Sequence, residues 1–193
     1  MQHRIHHAEQ IPAIDGADEN QRTRHGSGGR SGMIKALFMD VDGTLTDGRI
    51  YMGNGGEVCK AFNIKDGLGI AILLKQAGIE PIVITGRSSG IVENRCREIG
   101  IAELCQGVVD KLTRLRQLLE ARGLQMSEAA YIGDDINDLE CMVAVRKGGG
   151  AVGCPADAAR QVREISHFIA EHNGGDGAVR DFIEWIVATA PDS

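Results

Sequence analysis

The stretch Ile34-Lys35-Ala36-Leu37-Phe38-Met39-Asp40-Val41-Asp42-Gly43-Thr44 decides the fold. Its apolar run, Ile34 to Met39, has the length of a strand buried on both faces, and it ends abruptly in two carboxylates and a glycine. From Met33 onward similar runs alternate with amphipathic segments, the pattern of a Rossmann-like α/β fold: a parallel sheet with helices on both faces. The spacing predicts a helix over 66–76, a strand over 81–85 and a helix that Ser88 caps and that runs to Ile99. It further predicts a helix over 110–121 and a strand over 129–133. Shorter elements are expected near 150–152 (strand), 156–162 (helix), 167–169 (strand) and 178–188 (helix). One segment breaks the alternation. Residues 49–52 and 57–63 flank Gly53-Asn54-Gly55-Gly56, whose backbones tolerate the positive φ of a tight turn, so a β-hairpin is expected at about 48–63.

The chain has 193 residues, 42% of them hydrophobic, which suits one ordinary domain. Residues 33–193 are read as that domain. Residues 1–32 carry His3, His6, His7 and His25 among Gly, Ser and Arg, with no sustained period, and are expected to be a disordered extension. Clustered histidines there lack the fixed geometry of a metal site. A net charge of −6 with no basic run argues against nucleic acid and anionic membrane as partners. No apolar run nears the roughly 20 residues of a membrane span, and a cytoplasmic protein is expected. The cysteines, Cys59, Cys96, Cys105, Cys141 and Cys154, form no C-x-x-C pair and are read as free thiols.

Open α/β sheets gather ligands at the carboxyl ends of their strands. The sequence delivers four chemical groups there: Asp40 and Asp42, then Thr85-Gly86-Arg87, then Lys111 at a helix start, then Gly133-Asp134-Asp135-Ile136-Asn137-Asp138. Residues two apart at a strand end can face one side, so Asp40 and Asp42 are expected to share a pocket, with Asp134 as third ligand of a hard cation, Mg²⁺. With Lys111 holding phosphoryl oxygens, Asp40 could attack phosphorus while Asp42 protonates the leaving oxygen and Thr85 completes the phosphate cradle. Asp135 and Asp138 are read as carboxylates that orient the metal's water and Lys111. Taken singly, each cluster is ordinary turn chemistry; their order along the chain is what points to phosphoryl transfer.

These four clusters resemble the motifs of the haloacid dehalogenase superfamily, in its phosphatase branch. The stretches Asp47–Tyr51, Lys60–Ile70, Ile84–Ser89, Gln106–Lys111 and Gly174–Arg180 further resemble the 3-deoxy-D-manno-octulosonate 8-phosphate phosphatase family. That resemblance spans 34–186. It implies a substrate that is a phosphorylated keto-deoxy sugar acid on the way to lipopolysaccharide. It also implies a homotetramer in which hairpins pack together and a neighbouring subunit covers a site that has no cap domain. It carries Asn63, Lys65, Asp66 and Gly67 as a substrate loop, and Arg87 and Arg95 as substrate arginines beside Gly86, Lys111 and Asp42. A nine-carbon-sugar branch has Glu in place of Arg87, so Arg87 points to the eight-carbon acid. Residues 145–154 depart from the family's usual stretch and lean toward a domain found on some sialic-acid cytidylyltransferases. Two rivals remain open: a receiver-like domain that holds phosphate without turnover, for which Lys111 stands in the wrong chain order, and a silent scaffold.

Overall fold

A computed structural model describes residues 33–189. The expected extension over 1–32 lies outside the described residues. β1 (Ala36–Met39) is fully buried, and successive side chains point to opposite faces of the sheet. Leu37 and Met39 join Ile70, Leu74, Val92, Phe182 and Ile183 in one core, while Ala36 and Phe38 join Ile82, Leu115, Tyr131, Met142 and Val162 in another. That two-sided burial is why the run is apolar at every position.

The first core is covered by α1 (Ile64–Leu68), which runs on through a widened turn at Gly69–Leu74, by α2 (Gly90–Glu98) and by α6 (Ala178–Ala188). The second is covered by α3 (Lys111–Arg122), α4 (Leu139–Lys147) and α5 (Arg160–Ile165). β4 (Glu80–Ile84) and β6 (Ala129–Ile132) pair with β1 on either side, Ala36 lying opposite Glu80 and Ala129. β5 (Glu103–Cys105), β7 (Ala151–Cys154) and β8 (Phe168–Ile169) complete a parallel sheet of order β5-β4-β1-β6-β7-β8. The chain therefore leaves β1 toward β4 and returns to its other side at β6. This reversal opens a crevice above the carboxyl end of β1.

The hairpin forms as expected: β2 (Tyr51–Gly53) pairs antiparallel with β3 (Gly56–Cys59), and Thr46 bridges Phe62 below them. Three readings of the sequence need correction. Ser88 is not the cap of α2; Ser89 holds the N-cap position, and its hydroxyl donates to Glu57 without accepting from a helix N–H. The helix expected at 156–162 begins only at Arg160, because Pro155 to Ala158 first closes a turn. β5 and α4 went unread: β5 has three residues, too few for a visible period, and α4 begins directly behind an acidic cluster that reads as a loop.

Candidate active site

Three neighbouring strands build the floor of the crevice. Asp40 leaves β1 extended and its N–H donates to Ile132 O of β6 at 3.1 Å, so the two strand ends are tied where Asp40 and Asp134 emerge. Val41 to Leu45 then winds into a wide turn in which Gly43 takes φ 91°. A Cβ at Gly43 would lie inside contact distance of the Asp134 carboxylate, so close approach and positive φ both require glycine. The Thr44 hydroxyl donates to Asp134 Oδ1 at 3.2 Å.

Lys111 opens α3 with its side chain only 4% exposed, and its ammonium donates to Asp40 Oδ1 at 2.7 Å and Asp138 Oδ1 at 2.8 Å. Asp138 is fully buried and also accepts from the Tyr131 hydroxyl at 2.8 Å and, through Oδ2, from the Asp134 N–H at 3.3 Å. Carboxylate oxygens of Asp40, Asp134 and Asp138 all lie within 4.8 Å of one another. Crowding has an electrostatic signature. Burial, then the Asp138 charge, pushes Asp40 up to about 6 against the pull of Lys111. Burial and the charges of Asp40 and Asp138 push Asp134 up to about 7. Burial pulls the Lys111 ammonium down, but its two carboxylate partners outweigh that and hold it above the ordinary lysine value. One lysine thus leaves the carboxylates undercompensated, and an all-oxygen set of this kind fits a hard divalent cation. Asp138 already spends both oxygens on protein donors, which leaves Asp40 and Asp134 as the ligands with capacity to spare.

Asp42 shares the pocket with Asp40 as expected, but its carboxylate is not in the cluster of candidate metal ligands. Two residues apart would mean one side only if the backbone stayed extended, and the turn at Val41–Leu45 swings Asp42 toward the hairpin. There its Oδ1 accepts from the ammonium of Lys60, away from the trio. Asp42 still lines the same cavity, about 370 Å³ in volume, with Asp40, Thr85, Gly86, Arg87, Asp134 and Asp135. Thr85 is buried at the end of β4, and Asp135 caps the turn that follows by accepting from Ile136 N–H at 2.7 Å. Arg87 reaches across to Glu57 of β3 at 3.1 Å.

The other residues expected to meet substrate do not line this cavity. Asn63 caps α1 by accepting from Lys65 N–H at 2.8 Å, and Lys65 is exposed. Asp66 is 2% exposed and accepts through Oδ1 from Arg180 N–H at 2.8 Å, which makes it an anchor for the start of α6 rather than a group open to sugar hydroxyls. Gly67 packs against Arg95, whose guanidinium donates to Glu98 at 2.9 Å and lies 5.8 Å from the centre of the Phe62 ring. Arg95 and Arg87 therefore do not line one cavity within the chain. Reading the sequence missed Lys60, Glu57 and Tyr131. Tyr131 was hidden in an apolar strand, its only signal being one hydroxyl in a run that burial would otherwise keep hydrocarbon.

Residues 97–183 match the family model described as haloacid dehalogenase-like hydrolase. The 3-deoxy-D-manno-octulosonate 8-phosphate phosphatase of Yersinia pestis is 40% identical over 158 residues, 82% of each chain. That of Salmonella typhi is 41% identical over 154 residues, 80% of this chain and 79% of the other. Among solved structures, the Moraxella catarrhalis phosphatase of that name, in complex with magnesium, phosphate and KDO, is 42% identical, with a TM-score of 0.76 over 82% of this chain and 88% of its own. The cobalt-bound Haemophilus influenzae phosphatase is 35% identical, with a TM-score of 0.75 over 81% and 89%. By fold, by the order of its acidic clusters and by these similarities, the chain belongs to the 3-deoxy-D-manno-octulosonate 8-phosphate phosphatase family of haloacid dehalogenase-like hydrolases.

Proposed function

We propose that the chain is a Mg²⁺-dependent phosphatase that hydrolyses 3-deoxy-D-manno-octulosonate 8-phosphate to the free sugar acid and phosphate, through an aspartyl-phosphate on Asp40. The observation that carries this is Lys111 buried between Asp40 and Asp138, beside Asp134, under a cavity walled by Asp42, Thr85 and Arg87. Asp40 and Asp134 would hold the ion, whose charge, when bound, offsets the repulsion between an ionised carboxylate and a phosphate dianion. Asp40 attacks phosphorus in line with the leaving oxygen, and Asp42 gives that oxygen its proton and later takes one from the attacking water. Lys111 neutralises charge on the phosphoryl oxygens, with Asp138 and Tyr131 fixing its position. Thr85 and Gly86 bound the phosphate, and Arg87 meets the carboxylate of the sugar acid with a guanidinium fork. Asp135 shapes the rim.

We further propose that the protein works as a homotetramer in the cytoplasm, in the supply of a lipopolysaccharide precursor. Ile50, Met52 and Val58 on the hairpin and Ile64 on α1 are 58%, 64%, 62% and 81% exposed, an apolar surface suited to a second copy. Such packing would cover the open cavity and could carry Asn63, Lys65 and Arg95 to a neighbour's substrate. Among the described residues no helix is long and apolar enough to cross a membrane. A phosphate-release screen over sugar phosphates, with eight- and nine-carbon keto acids included, tests the reading. The eight-carbon 8-phosphate should give the highest kcat/KM; a higher value for a nine-carbon 9-phosphate would overturn the substrate assignment.

A further inference from the structure

The hairpin carries a buried charge at its base. Cys59 and Val58 at the end of β3 are exposed, yet the next residue, Lys60, has a side chain only 1% exposed. Burying an ammonium is costly unless carboxylates meet it, and immobilising a lysine forfeits side-chain entropy as well. Two carboxylates do meet it: Asp42 Oδ1 and, at 3.0 Å, Glu57 Oε1. Glu57 and Lys60 are an odd number of residues apart and would face opposite ways on a straight strand. The pairing is not straight: Tyr51 faces Cys59 while Met52 faces Glu57, so Val58 is an extra residue in β3, and this irregularity offsets the alternation and lets Glu57 and Lys60 meet. Glu57 is itself shared. Its Oε1 also accepts from Arg87 at 3.1 Å and its Oε2 from the Ser89 hydroxyl at 2.7 Å.

Charges therefore alternate along one chain of contacts: Asp42, Lys60, Glu57, Arg87. Its two ends wall the cavity above Asp40. We propose that Lys60 is a positioning residue for Asp42, holding one carboxylate oxygen so that the other is aimed at the leaving group, and that Glu57 ties this setting to Arg87. The inference rests on the reading of Asp42 as the group that protonates the leaving oxygen. It gives the hairpin a task inside its own chain's site, beyond any packing against other copies. No bond is made or broken at Lys60; it acts only through the carboxylate it holds.

The test compares leaving groups. p-Nitrophenolate departs with little need of a proton, whereas a sugar alkoxide needs one, and a positioned acid contributes on the order of 10²- to 10⁴-fold. Lys60→Met should lower kcat/KM about 100-fold for 3-deoxy-D-manno-octulosonate 8-phosphate and for β-glycerol phosphate, and by at most a few-fold for p-nitrophenyl phosphate. Lys60→Arg should restore much of the loss. Glu57→Gln, which keeps the side chain's shape, should shift the same ratio in the same direction by about 10-fold, and it serves if Lys60→Met does not fold. Equal losses for alkyl and aryl phosphates would mean that Lys60 only holds the hairpin in place, and unchanged rates with both would mean that it does not position Asp42; either overturns the proposal. Wild-type rates keep the two readings apart. If the wild type hydrolyses β-glycerol phosphate but not the sugar acid phosphate, the substrate assignment fails, and the glycerol phosphate ratio still decides the role of Lys60.

Discussion

Replacing Asp66 by Asn should change how stability depends on pH by an amount that the structure sets. Asp66 has one oxygen on Arg180 N–H, while the other, Oδ2, is buried with no hydrogen-bond partner among the described residues. Burial, reinforced by the charges of Asp181 and Asp176, raises its carboxyl from 3.8 to about 6, although the N–H groups of Arg180 and Gly177 oppose the rise. A group whose pKa is higher folded than unfolded stabilises the fold fully below its unfolded value and loses that contribution as pH climbs through its folded value. Asp66 should therefore support the fold at pH 4 and progressively cease to do so by pH 7. At about 1.4 kcal/mol per pH unit, the difference is on the order of 3 kcal/mol. In a chain of this size, that is roughly 6 to 12 °C in Tm. Asn cannot titrate. Its unpaired amide N–H costs the same at every pH, so the Tm of Asp66→Asn minus that of the wild type should rise by this amount between pH 4 and pH 7.5. Thermal unfolding followed by circular dichroism reads it directly. A flat difference, or one that falls with pH, would refute the account of Asp66 as a buried anchor for α6 and return it to the substrate loop.

Asp40→Asn should remove turnover by at least about 10⁴-fold while the far-ultraviolet circular dichroism stays that of the wild type, and substantial residual rate would argue against Asp40 as nucleophile. Arg87→Ala should lower kcat/KM for the sugar acid phosphate roughly 10- to 100-fold, the worth of a charged hydrogen bond, and that for an aryl phosphate by a few-fold; matching losses would speak against a carboxylate anchor. EDTA should silence the enzyme and Mg²⁺ restore it. Because Asp40 and Asp134 are raised to about 6 and 7, protons compete with the ion below neutrality, so Mg²⁺ affinity measured by calorimetry should weaken as pH falls from 8 to 5. Constant affinity over that range would contradict the crowded-carboxylate account.

Much of this protein could be read along one dimension. An apolar run that stops at Asp40-Val41-Asp42-Gly43 declares both a buried strand and a charged strand end, because only the crevice above a sheet can hold carboxylates next to so apolar a segment. The hairpin was equally legible, since Asn54-Gly55 is local backbone chemistry. The positions of Asp40, Thr85, Lys111 and Asp134 followed from strand ends and a helix start, where direction is imposed by the element itself. What remained hidden depends on paths between elements. Which face Asp42 turns to depends on a turn wound over Val41–Leu45, and its partner Lys60 comes from a hairpin 18 positions away. The assignment of Asp138 to Lys111 and Tyr131, the withdrawal of Asp66 to α6, and the separation of Arg95 from Arg87 are likewise set by how three layers pack. Local sequence dictates which chemistry a strand end offers; burial and long-range pairing, which no window of neighbours contains, decide which of those groups meet.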